Sequence, residues 1–144
     1  MGILQNIIAL FTAILLTLGV TVGNGTGEVT DVPEQKDGAV RVISFNLRSA
    51  NDIYGTVKNR SVLMEKVLTA YAPDSFGVQE ANPEWLSLLD ESLGDRYARV
   101  GDGRNLDKNT EYSCVFYLKD KYELLDSGTI WLSETPDVPG SKDY

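Results

Sequence analysis

Ala39–Asn46 reads AVRVISFN and Ser75–Glu80 reads SFGVQE, and what lies at and between these two runs decides the fold. The first sets Val40, Val42 or Ile43, and Phe45 around polar residues and breaks at Asn46, which predicts a strand over 39–45 ending in a polar cluster. The second is a short apolar run bounded by turn signals, which predicts a strand over 75–79 that delivers Glu80 at its C-terminal edge. Between them, Leu63, Met64, Val67, Leu68 and Tyr71 form a helical stripe within Val57–Tyr71, and Pro73 stops that helix near Ala72. Strand, helix, strand is the order of an α/β fold.

The same punctuation continues outward. Asn82 is an N-cap and Pro83 suits the first helical position. Trp85, Leu86, Leu89 and Leu93 make a buried face, and Gly94 ends the helix. Tyr97–Val100 is a short strand, and GDGRNLDKNT over Gly101–Thr110 is a loop by composition. In Tyr112–Leu118 both faces are apolar enough to be covered, which predicts a central strand. After the charged turn Lys119–Lys121, Tyr122–Trp131 predicts an antiparallel partner interrupted near Gly128. There are no internal repeats.

With 144 residues, 42% apolar and 24% charged, the chain has the profile of one globular domain. Thirteen basic against 21 acidic residues give a net charge of −8, so it has no broad basic face for nucleic acid. The single Cys114 excludes a disulfide-stapled domain. The chain has no histidine, which removes every Ser-His or Cys-His pair and the commonest zinc ligand. Residues 3–22, ending in IIALFTAILLTLGVTV, carry no charge and precede the first basic residue, Lys36. They read as a cleaved export signal, with Thr21-Val22-Gly23 as the cleavage site, or as a membrane anchor; the bland alternative is a buried helix. The organisation expected is a signal or anchor over 1–23, a flexible linker over 24–38 and a folded part over 39–144.

Asn46 and Glu80 are the most suggestive pair, because ligands of α/β sheets gather at the C-terminal ends of strands. A carboxylate and a carboxamide with water in the remaining positions suit magnesium, which polarises phosphoryl oxygens. Alternatively, Asn46 caps a turn and Glu80 merely opens the next loop. Arg104, in Gly101-Asp102-Gly103-Arg104, could face a phosphate, although such a sequence also makes an ordinary hairpin turn. Glu111 is either a further acid in the cleft or a charge opening a strand. Cys114 reads as a small buried hydrophobe and Trp131 as packing.

RVISFN at Arg41–Asn46, PDSFGVQE at Pro73–Glu80 and EYSCVFYLKDKYELLDSGTIWLSETPDVPGS at Glu111–Ser141 together resemble the endonuclease/exonuclease/phosphatase (DNase I-like) superfamily in order and spacing. The last run looks most like an exported bacterial branch of it. The resemblance covers about residues 41–144 and implies a four-layer α/β/β/α sandwich, present here only in its N-terminal part. It also implies metal-dependent hydrolysis of a phosphoester, with Mg2+ or Mn2+ as cofactor. Asn46 matches the asparagine that helps orient nucleophile and phosphate, and Glu80 matches the glutamate that binds the cation. Arg104 and Glu111 stand where this branch carries residues near the cleft, as second-tier substrate contacts.

The family's later Asp-x-Asn and Ser-Asp-His elements are not found within these 144 residues, and Asp107-Lys108-Asn109 precedes the WLSETP run and reads as coincidence. The expectation is therefore an incomplete catalytic domain, inactive by itself and exposing sticky sheet faces, that is secreted or anchored through residues 3–22. Its partner would be a phosphorylated substrate: nucleic acid, nucleotide, sugar phosphate or lipid head group. The competing readings are a non-catalytic exported binding module that keeps a metal or phosphate contact, and an unrelated acidic surface domain.

Overall fold

The computed structural model describes residues 21–22, 29–51, 55–104 and 110–143. Its main sheet has four strands: β3 (Val42–Asn46), β4 (Ser75–Ala81), β5 (Tyr97–Val100) and β6 (Tyr112–Leu118). They lie in the order β3-β4-β6-β5, with β3 and β4 parallel and the other pairs antiparallel. Two helices, α1 (Val57–Tyr71) and α2 (Pro83–Leu93), pack on one face of this sheet. A separate two-residue pairing joins β1 (Thr21–Val22) to β2 (Val29–Thr30). Most of the expected signal or anchor lies outside the described residues, among which no helix is long and apolar enough to cross a membrane. The C-terminal part of the expected linker is tied to the sheet: Gln35 Nε2 donates to Asp74 Oδ2 at 2.7 Å, and Arg41 Nη2 donates to the Pro33 carbonyl at 2.5 Å.

Both helices start and stop for local reasons. Thr56 Oγ1 accepts from Asn59 N–H at 3.1 Å to open α1, and the Ala72 N–H closes it on the Leu68 carbonyl at 2.9 Å. In α2, Asn82 Oδ1 accepts from Trp85 N–H at 2.9 Å, with Pro83 where its missing N–H costs nothing. The α2 face is the expected one, Trp85, Leu86, Leu89 and Leu93. The α1 face is rotated: Val57, Ser61, Met64 and Leu68 are buried, and Leu63 is exposed. Phe76, stacked on Phe116 with ring centroids 4.6 Å apart and edge-on to Tyr97 at 5.2 Å, centres the core between sheet and helices.

Two expectations are corrected. Tyr122–Trp131 forms no strand, because β6 already has β4 on one edge and β5 on the other. β6 has no edge left for a following strand, and Lys121 N–H and Tyr122 N–H instead turn back onto the Leu118 carbonyl. Nor are both faces of β6 covered: Cys114 and Phe116 are buried, whereas Val115 is 47% exposed. Val42, 67% exposed, lies on that same open face. The four-stranded sheet and the two helices thus form one sheet layer and one helix layer, part of the layered sandwich.

Candidate active site

The C-terminal end of the parallel pair brings Asn46 and Glu80 together. Asn46 lies opposite Gln79, and the Leu47 N–H extends the ladder to the Gln79 carbonyl at 2.9 Å. Strict alternation along β4 would bury residue 80 beside Phe76 and Val78, where an ionised carboxylate is costly. A bulge prevents this. Between the pairings Val78 with Cys114 and Ala81 with Tyr112, β4 carries one more residue than β6, so Ala81 takes the core position and is fully buried. Glu80 is turned out with φ of 57°, a left-handed conformation that disfavours side chains and collects at ligand sites.

Asn46 Nδ2 donates to Glu80 Oε1 at 2.7 Å. The assignment of the amide is fixed from its other side, since the Arg48 N–H donates to Asn46 Oδ1 at 3.0 Å and only an oxygen can accept it. The carboxamide therefore orients the carboxylate, and Glu80 is the anionic oxygen donor of the pair. Among the described residues no three His, Cys, Asp or Glu side chains gather into a metal cage. One carboxylate fits Mg2+ or Mn2+, which retains much of its water shell, and does not fit a structural zinc.

Arg104 and Glu111 are brought together at the same end of the sheet. Gly103 bridges to Tyr112, continuing the β5–β6 register, so Arg104 and Glu111 face each other across the hairpin. Their backbones join through Arg104 N–H to the Glu111 carbonyl at 2.9 Å, and Nη2 meets Oε2 at 2.5 Å. Glu111 Oε1 also accepts from Ser49 Oγ at 3.0 Å, which ties the hairpin to the loop after β3. The Ser49 carbonyl in turn accepts from Asn82 Nδ2 at 2.5 Å. Trp131 Nε1 donates to the Arg104 carbonyl at 2.7 Å, so the Trp131 loop is fastened to this hairpin; Ser133 and Ser141 hydroxyls, 2.6 Å apart, close it. Burial pushes the Cys114 thiol pKa up, with Arg99 opposing, as befits a small hydrophobe.

Ser49 and Arg60 belong to no motif in the sequence. Arg60 lies three residues after Val57 and four before Met64, so a cation on the apolar side of α1 was the available signal. Asp107-Lys108-Asn109 lies outside the described residues.

Solved structures share the fold. An endonuclease/exonuclease/phosphatase protein from Bacteroides vulgatus superposes with a TM-score of 0.68 at 34% identity, over 73% of this chain and 41% of that one. The described chain has the endonuclease/exonuclease/phosphatase fold, in part. A mannosyl-6-phosphatase from Bacteroides thetaiotaomicron matches with a TM-score of 0.68 at 32% identity, over 74% of this chain and 41% of its own. A second family protein from that organism matches at 0.67 and 34% identity, over 73% and 40%. The chain thus spans about two-fifths of the length of these family members. No protein-family model and no curated protein matches it.

Proposed function

We propose that the chain contributes the Glu80–Asn46 half of a metal-dependent phosphoester hydrolase site. The observation that carries this is the 2.7 Å hydrogen bond between two strand-end side chains, one of them on a left-handed bulge residue. Glu80 would hold Mg2+ or Mn2+, and the cation when bound supplies Lewis-acid polarisation of a phosphoryl oxygen. Asn46 holds the Glu80 carboxylate in one orientation. Arg104 and Glu111 are the second-tier substrate contacts, the guanidinium being the group able to fork onto a phosphate. The mannosyl-6-phosphatase neighbour favours a phosphomonoester, with sugar phosphates first among the substrates considered. Export or membrane attachment through residues 3–22 belongs to the same proposal.

A histidine general base is not available from these 144 residues. The 144-residue polypeptide is accordingly expected to bind a divalent cation while hydrolysing little or nothing. Titration calorimetry with Mg2+ and Mn2+, together with hydrolysis of p-nitrophenyl phosphate and its diester, tests both halves. Saturable binding lost in Glu80→Gln, without turnover, is the expected pattern. Equal cation binding by wild type and Glu80→Gln contradicts the metal role, and cation-dependent hydrolysis by the isolated chain contradicts the predicted inactivity. A non-catalytic binding module is the second reading, favoured by the same missing base.

A further inference from the structure

We infer that Arg60, on α1, is a positioning residue that sets the orientation of the Asn46 carboxamide and, through it, of Glu80. Both terminal nitrogens of its guanidinium serve one purpose, while the buried Nε has no hydrogen-bond partner among the described residues. Nη1 donates to the Leu47 carbonyl at 2.7 Å and to the Arg48 carbonyl at 3.0 Å, while Nη2 donates to the Ala50 carbonyl at 2.6 Å. The carbon of the same group sits 5.3 Å from the centroid of the Trp85 ring, and Trp85 Nε1 donates to that same Arg48 carbonyl at 3.2 Å. Two helices thus hold one short loop, α1 through Arg60 and α2 through Trp85.

What the loop is held to do is visible at Arg48. Its φ of 53° is left-handed, a conformation that a non-glycine residue keeps only when its surroundings enforce it. The two donors on its carbonyl are that enforcement. In this conformation the Arg48 N–H reaches back to Asn46 Oδ1 at 3.0 Å, leaving Nδ2 to donate to Glu80 Oε1 at 2.7 Å. Without the left-handed turn the carboxamide loses its anchor and is free to rotate, presenting either end to the carboxylate. Lysine does not replace the fork: its ammonium carries the charge on a single nitrogen, where the guanidinium reaches the three carbonyls with two.

The inference rests on the proposed role of Glu80 only for its consequence in cation binding; the orientation of Asn46 is testable without any ion. In the full chain, the side-chain NH2 resonances of Asn46 are compared by 1H–15N NMR in wild type, Arg60→Lys, Arg60→Met and Trp85→Phe. Trp85→Phe keeps an aromatic side chain, though a smaller one, and removes one of the two donors on the Arg48 carbonyl, so the test stands even if the Arg60 variants unfold. The expected result is a shifted, faster-exchanging Asn46 amide, largest in Arg60→Met, intermediate in Arg60→Lys and small in Trp85→Phe. A purely structural arginine would lower the melting temperature and leave this resonance in place in the folded fraction; that outcome overturns the inference. A Mg2+ titration then reads the consequence, with affinity weakened about 10-fold or more in Arg60→Met, as for other outer-shell groups. Wild type that binds no Mg2+, but whose Asn46 amide responds to Arg60, sinks the metal reading and leaves the positioning role standing.

Discussion

Asp74 and Glu80 stand at opposite ends of β4, and the chain treats the two carboxylates differently. Asp74 is 2% exposed, and its oxygens accept from Lys121 Nζ, from Arg41 N–H and Gln35 Nε2, each at 2.7 Å, and from Tyr122 OH at 3.2 Å. The Lys121 hydrogen bond, helped by the Arg41 N–H and Gln35, holds its pKa well below the ordinary carboxylate range against the opposing effect of burial. Glu80 is half-buried, and among the described residues it accepts from the Asn46 amide alone. Asp74 spends its acceptor capacity on tying residues 35–41 and 121–122 to the sheet. Glu80 keeps an oxygen in reserve on a strained backbone, and spare capacity combined with strain is what a ligand site needs.

The largest effect is expected at the structural end. In Asp74→Asn one carboxylate oxygen becomes an amide NH2 facing incoming donors, so the melting temperature should fall by on the order of 10 °C. A fall of only 1–2 °C would erase the distinction between the two ends. The same contrast has a pH signature. A carboxyl whose folded pKa is lowered stabilises the fold above its unfolded value, about 4, and that contribution is lost as pH falls through the lowered value. The stability gap between wild type and Asp74→Asn should therefore be full at neutral pH and shrink steadily below about pH 4. A gap that stays constant into acid would show that charge on Asp74 is not the cause.

At the other end the sign reverses. Glu80→Gly relieves a left-handed side-chain residue, worth about 1 kcal/mol, and should raise the melting temperature while abolishing cation binding. A destabilised Glu80→Gly would mean that the Asn46 hydrogen bond outweighs the strain. The smallest effect belongs to a surface pair: Asp90 and Arg99, joined by two hydrogen bonds of 2.8 Å with their side chains 47% and 30% exposed, should contribute less than about 1 kcal/mol in an Asp90→Asn melt.

How much of this was legible in the sequence depended on the range of the cause. Asn82, Pro83 and Gly94 frame α2 by purely local chemistry, and the helix forms where they place it. Asn46 and Glu80 stood out because a polar residue ends each apolar run, and parallel pairing of those runs puts them side by side. The bulge that turns Glu80 outward was invisible, since alternation within 75–80 says nothing of the extra residue inserted opposite β6. Tyr122–Trp131 has a strand's composition, but whether a strand forms depends on a vacant sheet edge, and β6 offers none. Arg104 and Glu111 looked like cleft residues and also form an ordinary cross-strand ion pair, a register visible only once the hairpin is closed. Arg60 acts on carbonyls ten to thirteen positions earlier in the chain, a relation no local pattern records.

Paramagnetic broadening by Mn2+ in the folded, isotopically labelled chain tests the central claim most directly, because it reads both ends of β4 at once. At substoichiometric Mn2+ the resonances of Asn46, Glu80 and the neighbouring Arg48 should broaden selectively, those of Gln35, Asp74 and Tyr122 should stay sharp, and Glu80→Gln should remove the effect. Broadening centred on Asp74, or spread evenly over the acidic surface and unchanged in Glu80→Gln, would contradict it.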